Sequence, residues 1–155
     1  MWDLLIQQSS LKEILNDSGL AQIGDNLLNL CFSLAKSAVA GRALGEKVSD
    51  TVLAKSIRGS SVYHCIGRRS DTGRAGDAYE ALAAYLWLSR RTSTDQIVAV
   101  LSQNLETVPQ SSRRRQQEAA VHAFRQLLVF LIDALPAHMK NTSSTTCDSA
   151  VTENL

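Results

Sequence analysis

Three observations predict an all-α fold with five to six main helices. Apolar residues recur at helical spacing through several long segments. The 155 residues contain only two prolines and eight glycines, so turn signals are scarce. No segment of useful length shows the alternation of a half-buried strand.

The elements follow in chain order. Residues 2–15 read as a first helix, with Leu4, Leu5, Leu11, Ile14 and Leu15 on its apolar side. Asn16-Asp17-Ser18-Gly19 breaks it and supplies capping oxygens for the next helix. The second helix, 20–39, places Leu20, Ile23, Leu27, Leu30, Cys31, Leu34 and Ala38 on one face, and Gly41 ends it. Leu28 and Phe32 lie off that face and are available to a second subunit. A short helix starts from a Ser49 cap and ends near Gly59. Residues 60–76 read as irregular and basic; from Arg58 to Arg74 four arginines stand against Asp71 alone.

A buried helix then begins near Gly76 or Asp77 and runs to Ser89. Residues 81–88 are apolar on every side, so this helix must be covered all round. Ser93-x-x-Gln96 is a capping box for the helix through Ile97, Val98, Leu101 and Leu105, which Pro109 breaks. The last helix, 112–135, turns Val121, Phe124, Leu127, Leu128, Leu131 and Leu135 inward, and Pro136 stops it. Residues 1–136 thus form one helical domain. Residues 137–155, rich in Ser and Thr, read as a disordered tail.

Composition excludes several classes. A net charge of +1 gives no global argument for nucleic-acid binding, so any such case rests on local clusters. Cys31, Cys65 and Cys147 are odd in number and widely spaced, which excludes a disulfide framework or a zinc pattern. Cys31 fits as a small core hydrophobe. Met1-Trp2-Asp3 lacks the basic start of a signal peptide. The longest apolar run, 81–88, is too short to cross a bilayer, so a cytoplasmic location without membrane contact is expected.

Three acids stand out. Asp25 lies at the edge of the polar face of the second helix, near Ser18, Ala21 and Asn29. Asp77 and Glu80, three apart, project from one side of the buried helix. Two acids heading a buried stripe are costly unless something positive meets them, and a divalent cation is one answer. The plainer alternative is that Asp77 and Glu80 sit in a first helical turn, favoured by the helix dipole and paired with Arg69 or Arg74. Asp25 would then be merely solvated.

The string Leu20-Ala21-Gln22-Ile23-Gly24-Asp25-Asn26-Leu27-Leu28 resembles the signature helix of the ribonuclease III family. Gly76-Asp77-Ala78-Tyr79-Glu80-Ala81-Leu82 resembles that family's second acidic motif, in the same order and at a matching separation. A glycine inside a buried helix costs about 1 kcal/mol relative to alanine, so Gly24 points to close helix packing beside the acid. The resemblance covers roughly residues 18–135. It is nearest to the single-domain archaeal branch, through Arg68-Arg69-Ser70-Asp71 and Gly76-Asp77, and to the mini-ribonuclease III branch; both lack a double-stranded-RNA-binding domain.

The resemblance implies a magnesium-dependent homodimer, with manganese as a substitute, that cuts double-stranded or structured RNA and leaves 5′-phosphate ends. Ribosomal-RNA precursors are the substrate suggested by the mini branch. Asp25, Asp77 and Glu80 would be catalytic metal ligands, and Arg68, Arg69 and Arg74 would contact phosphates. The sequence departs from the signature where glutamates usually stand four and seven residues before the aspartate, since Ala21 and Ser18 occupy those places. A non-catalytic RNA-binding or ribosome-associated protein of the same fold is therefore the alternative, and a helical interaction module is a third. Arg113-Arg114-Arg115 at the last helix start suits either an external phosphate or a solvated turn. His122 reads as structural on an apolar face, and His64 has no catalytic partner pattern.

Overall fold

The computed structural model describes residues 1–67, 70–105 and 112–140. Its α-helices are α1 (Leu11–Leu15), α2 (Ser18–Ala40), α3 (Asp50–Arg58), α4 (Thr72–Leu88), α5 (Thr94–Asn104), α6 (Arg113–Asp133) and α7 (Ala137–Lys140). Short 3-10 turns lie at Asp3–Leu5 and Tyr63–Cys65. The described residues contain no strand, and the all-α class stands as expected.

Helix α4 forms the axis. It packs against α2, α3, α1 and α6, while α5 rests on α2 and α6. That surrounding cover is what a helix apolar on all sides requires. Tyr79, fully buried on α4, meets the ring of Phe124 edge-on and donates its hydroxyl proton to the Phe124 carbonyl of α6. Phe124 in turn packs edge-on against Phe32 of α2, with ring centroids 5.4 Å apart.

Most helix ends follow their capping chemistry. The Ser93–Gln96 box is closed in both directions, at 3.2 and 3.0 Å. Gly41 takes a left-handed φ of 66° after α2. Ser49 caps α3 through the Val52 N–H.

Four expectations change. The first helix does not run from 2 to 15. Ser10 caps a new start by accepting from the Glu13 N–H, and Glu13 accepts from the Ser9 N–H, so α1 begins at Leu11. Leu4 and Leu5 are left exposed. Helix α4 starts at Thr72, a turn before the expected Gly76, because the Asp71 side chain accepts from the Arg74 N–H at 2.8 Å. His122 is exposed rather than held on an apolar face.

The fourth change is the buried face of α2. Leu28 and Phe32 are in the core, not free for another subunit, and Leu30 and Leu34 face outward at 53% and 43% exposure. The cause lies in α4. Its backbone comes so close at Gly24 that the stripe through Ala21, Gly24, Leu28, Cys31 and Ala35 turns inward, with Phe32 beside it, while Leu20 and Leu27 stay buried and Leu30 and Leu34 are turned out. A β-carbon at position 24 would stand 2.0 Å from the Glu80 carbonyl oxygen. The Cys31 thiol, buried on the same face, is pushed up to about 11 by loss of solvent.

The expected tail lies outside the described residues from 141 onward. Before that, α7 follows Pro136 and buries Met139.

Gly24→Ala forces α2 and α4 apart and is expected to cost roughly 2–4 kcal/mol in denaturant unfolding. Gly45→Ala, with open space around the new methyl, is the control and should leave the midpoint unchanged.

Candidate functional site

The α2–α4 crossing sets the site. Gly24 precedes Asp25, and the backbone it touches is that of Glu80, so the closest approach of the two helices carries both acids. Asp77 lies one turn before Glu80 on the same side of α4. The start of α3 closes the group, because Gly76 lies against Asp50: a β-carbon at 76 would be 3.6 Å from both the Asp50 Cα and its Cβ.

Asn29 ties these parts together. Its Nδ2 donates to Asp25 Oδ1 at 2.8 Å, and its Oδ1 accepts from the Val48 N–H at 2.9 Å. One amide therefore orients the Asp25 carboxylate and anchors the segment entering α3.

Glu80 is 6% exposed, whereas Asp25, Asp50 and Asp77 lie at the surface. Burial first, then the charges of Asp25, Asp77 and Asp50, push the Glu80 carboxyl from an ordinary 4.5 to about 8. Asp77 is raised too, first by partial burial and then by Asp50, Asp71 and Asp25. Among the described residues no cation pairs with any of these four carboxylates.

The plainer explanation of Asp77 and Glu80 loses its footing. With α4 starting at Thr72, both acids lie beyond the first turn, where the helix dipole no longer favours them. Arg74, offered as their partner, is exposed and donates to Asn16 Oδ1 at 2.9 Å. Arg68 and Arg69 lie outside the described residues. Residues 18–137 match the family model described as Ribonuclease III. The chain belongs to the ribonuclease III family. A comparison with curated proteins gave no match.

Both ribonuclease III motifs thus lie on the two helices that cross, with their acids at the crossing. The departure from the family signature also has a structural place. Ala21 is 4% exposed, so α2 contributes Asp25 alone to the cluster. The acid that sequence reasoning missed is Asp50. Its only local signal is its place after the Ser49 cap, which any first-turn acid shares.

The donor set suits a hard divalent cation: carboxylate oxygens, one of them buried with no described counter-charge. Among the described residues no three side chains close into a preformed metal cage.

A cleft of about 500 Å³ lies between α2, the segment entering α3 and the start of α6; it reaches Ser49, but none of the four acids lines it, and Glu46 stands among its cations. Lys36, Lys47, Arg113 and Arg114 line it, together with Val48 and Ser49, the residues leading to Asp50. Lys36 bonds Glu46 at 2.6 Å, and Arg114 bonds Glu118 at 3.0 Å.

Between pH 4.5 and about 8 the folded chain keeps a proton on Glu80 that the unfolded chain has released. Stability therefore falls as pH rises through that window and levels off above it. In chelator, the melting temperature of the wild type is expected to drop by several degrees across the window. Glu80→Gln, which cannot ionise, should lose much less over the same range in thermal melts.

Proposed function

We propose that this chain is a metal-dependent endoribonuclease that hydrolyses phosphodiester bonds of double-stranded or structured RNA. The observation that carries this reading is Glu80: a buried carboxylate among three other acids, with no described positive partner. Membership of the ribonuclease III family supplies the substrate class.

In this reading Asp25, Asp77 and Glu80 hold magnesium, or manganese in its place. The bound ion would supply Lewis acidity at the scissile phosphate and lower the pKa of the attacking water. The protein's own part is positional. Gly24 brings the carrier backbones together, Asn29 fixes the Asp25 carboxylate, and burial of Glu80 makes its ionised form costly until a cation arrives. Lys36, Lys47, Arg113 and Arg114 line a cleft that reaches Ser49 and offer charge to an RNA backbone, in keeping with recognition of duplex RNA through phosphates and shape.

A homodimer belongs to the same proposal. Leu30 and Leu34 on the outer side of α2 offer exposed apolar surface for a second copy to cover, as Trp2, Leu4, Leu5 and Val129 do elsewhere. No described helix is long and apolar enough to cross a membrane.

A second reading is a non-catalytic RNA-binding protein of the same fold, and the buried Ala21 favours it, since a carboxylate is absent there. Incubation of the purified chain with magnesium and a structured RNA separates the two. The nuclease reading expects 5′-phosphate products that vanish with chelator and with Asp25→Asn or Glu80→Gln. Equal cutting by both variants defeats the site assignment. A gel shift that weakens steeply with salt, with no products, selects the binding protein.

A further inference from the structure

We propose that Asp50 is a fourth cation-binding carboxylate of this site, brought in by α3 to face the acids of α2 and α4. The inference rests on the nuclease reading above, and it concerns a residue that neither motif contains.

Three observations carry it. First, Asp50 is seated on α4: its Cα and Cβ lie within van der Waals range, 3.6 Å, of the place a β-carbon would take at Gly76, one residue before Asp77. Second, the approach of Asp50 is fixed by the same side chain that orients Asp25. Asn29 spans from Asp25 Oδ1 to the Val48 N–H, two residues before Asp50, so the two acids share one anchor. Third, Glu80 is more than nine-tenths buried, makes no hydrogen bond or ion pair with a described residue, and stands among these acids. A buried carboxylate in that condition calls for a positive ligand. Four ionised carboxylates match the charge of two divalent ions, and carboxylate oxygens are the ligands hard divalent ions take.

The competing role for Asp50 is local. An acid in the first turn of a helix interacts favourably with the dipole, and Asp50 is the first residue of α3. Asp95 in the first turn of α5 has that role alone and serves as the control.

The test is manganese binding to the full chain by isothermal titration calorimetry, without RNA, with folding of every variant checked by thermal melt. Asp50→Asn is expected to weaken binding by roughly tenfold or more, in the range seen when metal-site partners are removed. Asp50→Ser, which keeps a helix-starting residue, should do the same. Asp95→Asn should bind as the wild type does. Loss confined to Asp25→Asn and Glu80→Gln, with both Asp50 variants unchanged, overturns the role of Asp50 and leaves the nuclease reading standing. Unchanged binding in all of these variants overturns both.

Discussion

Helices α2 and α4 cross with no side chain between them at one point, and the remainder of the molecule is arranged around that contact. A hydrogen is all that position 24 can carry, because the Glu80 carbonyl occupies the space of a β-carbon. Glycine in a helix interior is unfavourable by about 1 kcal/mol, and burial of the α2–α4 face offsets it. The crossing also decides which other residues α2 buries. The stripe through Ala21, Gly24, Leu28, Cys31 and Ala35 turns inward, and Leu30 and Leu34 turn out.

The electrostatics of the site follow from the same contact. Bringing two backbones so close places Asp25 near Glu80, and α3 adds Asp50 where it packs in ordinary van der Waals contact beside Gly76. Glu80 and Asp77 are the two acids made harder to ionise. Burial is the largest cause for Glu80 and for Asp77, with neighbouring charge second. The fold therefore holds a cluster that water alone serves poorly, and which a hard cation relieves.

Much of this was legible in the sequence, for identifiable reasons. Gly24 and the spacing of Asp77 and Glu80 are local signals with direct meaning: a missing side chain marks close packing, and a three-residue step marks one helix face. The capping box at Ser93 and Gln96 is equally local. Other features were hidden because a partner determines them. The amphipathic pattern of α2 points to a face that includes Leu30 and Leu34, but the contact of Gly24 with α4 rotates the buried face toward Leu28 and Phe32. The break between Leu5 and Leu11 depends on Ser10 and Glu13 capping one another's turn, inside a stretch whose apolar spacing suggests continuity. Asp71 outcompetes Gly76 as the start of α4 because its oxygen satisfies a free N–H. Asp50 carries no motif at all. It joins the site through tertiary contact with Gly76, which no spacing along the chain reveals.

Tyr79 has a further consequence. It neighbours Glu80, so the two side chains leave the helix about 100° apart. The hydroxyl of Tyr79 is latched to the Phe124 carbonyl on α6. The rotation of α4 about its own long axis is thereby held from a flank, roughly a quarter-turn from Glu80. The bearing of the acids is set by a contact none of them makes, and damage to that latch would turn carboxylates that are themselves intact.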